Sequence, residues 1–445
     1  MIVAFRQGGI RIGKDSHDMR ITGIVAEYNP FHKGHAWHIR QAREQTGADF
    51  IIVVLGGDFT QRGTPAILDK YTRARMALAC GADLVLELPV RYACSSAEYF
   101  ASGAVSILER LHCVDHLCFG SESGNVDALR ETALLLDRAE ADPLYGRTLQ
   151  SSLKAGSSFP AARALALKTV CQKQAGLPDR PNDILGLEYC RALLRLHSPI
   201  RPSAVLRQGA DYHDTGLHTG FSSASAIRDR INAGWHPDRL SDALPEEVLR
   251  IWRESSAGSC IMEERDFSAM LHYRLLLLTH TEEHSSRTGA HEPARLQDFA
   301  DITPELADKI KNSLDSFTDW NAFCLLLKSR NYTHARISRC LAHILLDLFQ
   351  EDLEESRREN YPVYLRMLGF SGQAGPLLSA IGKNAQLPLL SGLAQAGRRL
   401  PPPLLPLLSE EIRASHIYQA AVSRKYGTPF QNEYRRQIIT PGVSS

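Results

Sequence analysis

Two histidines flanking a lysine and a glycine, directly after an apolar run, are the residues of this chain best suited to chemistry. His32-Lys33-Gly34-His35 follows Ile24-Val25-Ala26-Glu27-Tyr28-Asn29-Pro30-Phe31, and Ala36 to Thr46 reads as a helix. The order apolar strand, proline turn, helix places both imidazoles at a helix N-terminus, just outside the carboxyl end of a buried strand. Open α/β sheets bind ligands at that edge. Helix N-termini offer free N–H groups and positive potential to phosphates. Gly34 lets backbone approach a phosphate closely, and imidazoles can donate hydrogen bonds to phosphoryl oxygens as charge develops there. The pattern points to chemistry on a nucleoside triphosphate. The same residues also admit two other readings, a surface turn with incidental histidines or a metal site. His38 completes His-x-x-His-x-x-His, but no carboxylate or cysteine motif nearby completes a zinc set, and no metal site is assigned.

Further stretches fall where the same edge would collect them. Gly56-Gly57-Asp58-Phe59-Thr60-Gln61-Arg62-Gly63 follows a second apolar run and suits a binding loop. Arg62, Lys70 and Arg73 could then pair with phosphates or RNA, or belong to a solvated loop and helix face. Cys118-Phe119-Gly120-Ser121-Glu122 ends another run. Pro181-Asn182-Asp183-Ile184-Leu185-Gly186 reads as a turn with a helix cap. Arg207-Gln208-Gly209-Ala210-Asp211-Tyr212-His213-Asp214 precedes Ser222-Ser223-Ala224-Ser225-Ala226-Ile227-Arg228. The serine run resembles a second helix N-terminus, with Arg228 one turn in, able to hold a triphosphate tail, or else a plain Ser N-cap on an ordinary helix.

The elements that must position these groups alternate. Strands are expected at Ile21–Ala26, Phe50–Leu55, Leu84–Leu88, His116–Phe119 and Ala204–Arg207. Helical periodicity runs over 36–46, 69–80, 96–111 and 125–138 between them. Continuous apolar strands alternating with helices predict a parallel sheet covered on both faces. Residues 139–200 read as a mainly helical insertion. After about Pro245 the strand signal fades, and helices are expected over 245–280, 303–350, 361–395 and 403–424, with a polar loop at His280–Pro293. The expected fold is a Rossmann-like α/β nucleotide-binding domain over 19–240, then an all-helical domain over 241–445, with residues 1–18 an extension. Its charged residues and lack of an apolar core argue against a secretory signal.

Composition narrows the classes. The chain has 445 residues, 44% hydrophobic and 23% charged, with a formal net charge of +1. That balance gives no global electrostatic case for nucleic acid, while leaving room for a local basic surface. The nine cysteines are scattered without Cys-x-x-Cys, as expected of reduced thiols in a cytoplasmic protein. No apolar run approaches the ~20 residues that span a bilayer, so no membrane partner is expected.

Taken in order, these stretches resemble the HIGH-motif nucleotidyltransferase superfamily and, within it, the bacterial tRNA(Met) cytidine acetate ligases. The resemblance rests on Glu27–His35, Gln61-Arg62-Gly63, Gly81-Ala82-Asp83-Leu84-Val85-Leu86-Glu87-Leu88-Pro89, Phe119–Glu122, Pro181–Gly186, Gly209–Asp214 and Ser223–Arg228. It is strong over about 20–230 and looser through Ala335–Leu346 and Tyr361–Phe370. Gly56 and Asp58 stand where relatives more often carry Ser and Asn, and Lys33 fills the variable slot of His-x-Gly-His.

The resemblance implies that acetate and ATP give acetyl-adenylate and pyrophosphate, and that the acetyl group then passes to N4 of the wobble cytidine of elongator tRNA(Met). It implies an ATP site at Val25, Ala26, Glu27, Tyr28, Asn29, Pro30, Phe31, His32, Lys33, Gly34, His35, Ala36, Trp37 and His38, with Gly103, Asn182 and Arg207. His32, His35 and Arg228 are the expected catalytic groups, with Ser223–Ser225 beside Arg228 on the β and γ phosphates. Mg²⁺ is expected with ATP, held mostly by phosphate and water oxygens. Tyr28, Phe31 and Tyr99 could stack a captured base or belong to the core. Arg357-Arg358, Arg398-Arg399, Arg424-Lys425 and Arg435-Arg436 could meet tRNA phosphates or be solvated surface. Two rival functions share the nucleotide motifs, an adenylyltransferase of coenzyme synthesis and an ATP-sensing RNA-binding protein.

Overall fold

The computed structural model describes residues 19–157, 159–171, 177–207, 222–254, 261–284, 294–329 and 332–441. The expectations for 1–18 and for Gly209–Asp214 lie outside these residues. Seven strands form one sheet: β1 (Ile21–Ala26), β2 (Phe50–Gly56), β3 (Leu84–Leu88), β4 (His116–Ser121), β5 (Arg201–Leu206), β6 (Leu365–Phe370) and β7 (Leu389–Leu390). Their spatial order is β5-β4-β1-β2-β3-β6-β7. The central strands are continuous apolar runs because both faces are covered by helices. The chain runs outward from β1 through β2 to β3 and then crosses to β4 on the other side of β1. The β1/β4 edge is therefore the topological switch point, where a crevice opens.

The helix Lys33–Thr46 packs on one face of the sheet and is closed by Gly47 in the left-handed conformation (φ 65°). The helices Lys70–Ala79 and Ala224–Asn232 share that face, and their core joins Ile24, Val53, Met76 and Ile227. On the opposite face the helices Ala97–Arg110 and Pro181–Arg195 bury Ile107, Leu108 and Leu187 against β1–β4. A third core, built around Trp320, Phe323 and Leu341, lies mainly within the helical segments after residue 261 and takes in Phe59, Val90 and Cys94. The described stretches between β4 and β5 contain helices Val126–Glu140, Pro143–Lys154, Phe159–Cys171 and Pro181–Arg195.

One expectation for the C-terminal half is corrected. The segment read as helix over 361–395 contains β6, which pairs antiparallel with β3 (Leu84 opposite Phe370, Val85 opposite Gly369). The C-terminal half is helical in the main, but it returns to complete the sheet. Leu365-Arg366-Met367-Leu368-Gly369-Phe370 is too short for periodicity to separate a buried strand from a buried helix. The long helix Leu405–Tyr426 ties the cores together. Its Leu407, Leu408 and Ile412 enter the sheet core, whereas Ala414, Tyr418 and Ala421 enter the helical core.

Candidate functional site: a histidine and arginine cavity at the β1/β4 crevice

The local sequence explains how the histidines are held. Tyr28 takes a left-handed backbone conformation (φ 49°) and Asn29–Pro30 is cis; together they turn the chain from β1 into the helix. His32 is the N-cap. Its Nδ1 accepts the Gly34 N–H (3.0 Å), while His35 Nδ1 accepts the His32 N–H (3.3 Å). This is a capping box in which imidazoles replace the usual hydroxyl and carboxylate. With both Nδ1 atoms accepting, each neutral ring carries its proton on Nε2. The rings stack at 3.7 Å between centroids, and Tyr28 and Phe31 pack against His35 at 4.8 and 5.6 Å.

Electrostatics fixes the protonation state. Burial, then Arg207 and Arg228, push His32 down to about 3. Burial, then His32, Arg207 and His38, hold His35 well below the usual imidazole range. Burial and Arg207 push His38 down to about 4. The three rings are therefore neutral at pH 7, and His32 and His35 are hydrogen-bond donors through Nε2.

These groups border a cavity of about 290 Å³ that draws on every element end at the crevice. Of the residues expected at an ATP site, Val25, Ala26, Glu27, Tyr28, Asn29, His32, Gly34, His35, Trp37, His38, Asn182 and Arg207 line it, and so does Arg228. Pro30, Phe31, Lys33 and Ala36 belong to the same turn and helix but are not among its lining residues. Gly103 also lies away from the lining; a Cβ there would fall 2.5 Å from the Tyr92 ring, so this glycine serves close packing of the helix Ala97–Arg110. Its neighbour Phe100, one turn earlier, reaches the cavity, as do Phe119 and Tyr189. None of these three aromatic residues was in the expected set. Phe119 alone carried a signal, at the end of an apolar run on the same sheet edge.

The serine run also lies where expected. Ser222–Ser225 line the cavity, and Ser223 caps the helix Ala224–Asn232 by accepting the Ala226 N–H (3.0 Å). Arg228 donates to the Asn29 carbonyl (2.6 Å) and the Ser225 hydroxyl (3.1 Å), tying the two helix N-termini together. On the far side, Glu122 accepts from Asn182 Nδ2 (2.6 Å) and from the Asp183 N–H (2.9 Å). Asp183 in return accepts the Glu122 N–H (3.1 Å) and the Ser123 N–H (3.1 Å). This reciprocal cap orients the Asn182 amide, leaving its Oδ1 toward Arg207 (3.4 Å). Glu122 was legible only as part of a strand-end loop.

Of the three cations read in the loop after β2 and the helix following it, only Arg62 reaches the cavity. Arg73 is fully buried and donates to the carbonyls of Leu68, Glu27, Gly56 and Gly57, clamping the ends of β1 and β2. Lys70 is buried among Glu87, Glu411 and Glu433. The phosphate or RNA role considered for Lys70 and Arg73 is corrected: one face of their helix is packed, not solvated. Tyr28 and Phe31 are core residues, and Tyr99 packs edge-on against Tyr361. In the basic pairs, Arg357 meets Glu98, Lys425 meets Asp266 and Arg436 meets Asp69, while Arg399 donates to the Leu389 carbonyl. Among the described residues, no group of three or more His, Cys, Asp or Glu side chains is placed to hold a metal ion, and no helix is long and apolar enough to cross a membrane.

Neutral imidazole donors, arginines and two helix N-termini around the crevice of a mostly parallel sheet define a nucleotidyl-transfer class of site. Consistent with it, the family model described as HIGH nucleotidyl transferase matches residues 19–433. A tRNA(Met) cytidine acetate ligase of Acetivibrio thermocellus is 37% identical over 95% of this chain and 100% of its own length. The one of Clostridium tetani is 36% identical with the same coverage. The crystal structure of apo TmcAL from Thermotoga maritima superimposes with a TM-score of 0.85 at 30% identity, over 95% of this chain and 99% of that one. The same protein bound with alpha-thio ATP gives 0.82 at 29% identity, over 95% and 100% of the two chains. The chain belongs to the tRNA(Met) cytidine acetate ligase family of HIGH nucleotidyl transferases.

Proposed function

We infer that this chain joins acetate to N4 of the wobble cytidine of elongator tRNA(Met), consuming ATP through an acetyl-adenylate. The observation that carries this reading is the crevice itself: two imidazole Nε2–H donors and Arg228 converge on one cavity, in a chain whose relatives bear that name along their whole length. In the first step an acetate oxygen attacks the α-phosphorus in line with pyrophosphate. The protein's task is positioning and charge stabilisation. His32 and His35 donate to phosphoryl oxygens as charge moves to the leaving group. Arg228 and the N–H groups at Ser223–Ser225 hold the β and γ phosphates. Arg207 and the oriented Asn182 amide face the nucleoside, with Phe119 and Tyr189 as apolar walls for its base. Keeping the histidines neutral makes them donors that do not act as acids, while the arginines supply the permanent charge.

A Mg²⁺ arriving with ATP would neutralise phosphate charge. Glu27 is the one carboxylate among the described lining residues, so most ligands of such an ion would be phosphate and water oxygens. In the second step the cytidine amine displaces AMP from the acetyl group. The helical half, from about residue 241, is the proposed grip on tRNA, with the protein acting in the cytoplasm.

The test is product stoichiometry with purified enzyme, Mg-ATP, acetate and elongator tRNA(Met). One AMP and one pyrophosphate per acetylated tRNA are expected, with neither formed in step with acetylation when the wobble cytidine is replaced by uridine. Release of ADP and phosphate instead would overturn the adenylate route. Pyrophosphate release that ignores both acetate and tRNA, with the adenylyl group carried into another product, would favour the coenzyme adenylyltransferase.

A further inference from the structure

Transfer to cytidine releases a proton from N4, and the cavity offers few groups able to take it. The Nδ1 atoms of His32 and His35 are occupied by backbone N–H groups, so their neutral rings present donors only. His38 turns Nε2 toward the Cys118 sulfur at 3.8 Å, and burial, then Arg207, make it a weak base. Tyr28 and Tyr189 are phenols that burial keeps protonated, and Arg62, Arg207 and Arg228 are cations. The hydroxyls of Thr60 and Thr64 bond each other (2.9 Å). Among the described lining residues that leaves the Glu27 carboxylate.

Its position also suits the second substrate. Glu27 follows β1, and one carboxylate oxygen, Oε1, accepts the Gln61 N–H (2.7 Å). Glu27 therefore stands against the loop after β2, whereas Arg207 follows β5, the edge strand on the other side of β1. That loop is clamped to the helical half. Ser338 Oγ donates to the Gly63 carbonyl (3.0 Å), and Gly63 (φ 73°) lies so close that a Cβ would fall 2.2 Å from Arg339 Cα. The exposed Arg62 at the tip of this loop marks the lip over which an RNA strand, guided by the helical half, would deliver a base.

We propose that Glu27, anchored through Oε1 by the Gln61 N–H, is the catalytic base that takes the N4 proton of cytidine during acetyl transfer. The inference rests on the acetate-ligase reading above. The N4 nitrogen attacks the acetyl carbonyl carbon and the N–C bond forms. The C–O bond to AMP then breaks, its electron pair staying on the AMP phosphate oxygen, and one N4 proton passes to Glu27 Oε2. Charge balances: a neutral amine and an acetyl-adenylate give a neutral amide, AMP and a protonated carboxyl that later returns its proton to water. Adenylation of acetate releases no such proton, so Glu27 belongs to the second step.

The test separates the steps with Glu27→Gln, whose amide oxygen can still accept the Gln61 N–H. Chemically prepared acetyl-adenylate and elongator tRNA(Met) are supplied directly, and single-turnover transfer is read by mass spectrometry of the nucleosides. Formation of acetyl-adenylate from ATP and acetate is measured separately. General-base catalysis contributes about 10²–10⁴-fold. The expected result is a transfer rate reduced at least about 100-fold more than adenylation. Unchanged transfer, or an equal loss in both steps, would overturn the proposal and leave Glu27 an anchor for the Gln61 loop, with the ligase reading intact. Failure of the unsubstituted enzyme to acetylate tRNA by either route would overturn the ligase reading and this inference with it.

Discussion

The crevice and the buried cluster behind it use the same kinds of charged side chain in opposite ways. At the crevice, Arg62, Arg207, Arg228 and three neutral histidines surround space. About the next helix, Lys70 meets Glu87 (2.5 Å), Glu433 (2.9 Å) and Glu411 (3.0 Å). Arg366 from β6 meets Glu87 (2.9 Å) and Glu433 (2.6 Å), and the whole cluster is shut away from water. In the cluster each charge is answered by the protein, so it binds the C-terminal segments to the sheet. At the crevice three arginines and the imidazoles face one carboxylate among the described lining residues, Glu27, a balance that suits an anionic substrate. A charged residue in a motif thus carries no role by type; its surroundings decide.

The comparison breaks most visibly if the cluster loses its centre. Lys70→Met removes the cation that Glu87, Glu411 and Glu433 share, and removing one partner from a buried ion network costs about 3–5 kcal/mol. Denaturant unfolding should show that loss, with β6 and the helix Leu405–Tyr426 losing hydrogen-exchange protection first. A stability within about 1 kcal/mol of the parent would contradict the role assigned to Lys70. His35→Ala should act on the other region alone. Removing a preorganised donor costs about 10²–10³-fold in rate, so acetylation should fall by that factor while tRNA binding is retained. A smaller effect is expected from Glu122→Gln. Losing a charge-assisted bond of about 1.5–3 kcal/mol frees the Asn182 amide, and the KM for ATP should rise by roughly tenfold or more with the KM for tRNA unchanged.

The subtlest difference is in pH dependence, where the two regions act with opposite sign. His32 and His38 fall from 6.5 in the unfolded chain to about 3 and about 4 when folded. The unfolded state therefore binds more protons in that window. The stability these groups contribute is complete above 6.5 and is lost as pH falls toward their folded values. Glu411 is the reverse. Burial and Glu87 push it up from 4.5 to about 8 against the pull of Lys70, so its contribution is complete below 4.5 and is lost as pH rises through 8. Thermal unfolding from pH 5 to 9 should show His38→Gln flattening the acid side and Glu411→Gln the alkaline side. Burial also pushes Glu433 upward, but Lys70 and Arg366 outweigh it and hold it at about 2. Its part of the acid loss therefore lies below 4.5, and between 6.5 and 4.5 the loss from the histidines runs against the gain from Glu411.

Much of the crevice was legible because its signals are local. A buried strand, a turn and His-x-Gly-His are contiguous, and Ser223 caps its own helix. The five strands of the first half announce themselves as apolar runs, although β5 begins at Arg201, before its apolar part, because residues of an edge strand need not be apolar throughout. What escaped detection was non-local. β6 is a strand because β3 offers it an edge. Lys70 looked like a surface cation because its partners Glu411 and Glu433 lie more than 340 residues away. Gly103 faces Tyr92 rather than the cavity, a contact that no spacing within its helix reveals. The cap joining Glu122 to Asn182 spans 60 residues.

The most direct test of the account is mass spectrometry of nucleosides from elongator tRNA(Met) after incubation with the enzyme, Mg-ATP and isotopically labelled acetate. The account predicts labelled N4-acetylcytidine at the wobble position, reduced about 10²–10³-fold in His35→Ala. Unlabelled tRNA alongside acetate-independent turnover of ATP, or labelling that His35→Ala leaves unchanged, would contradict it.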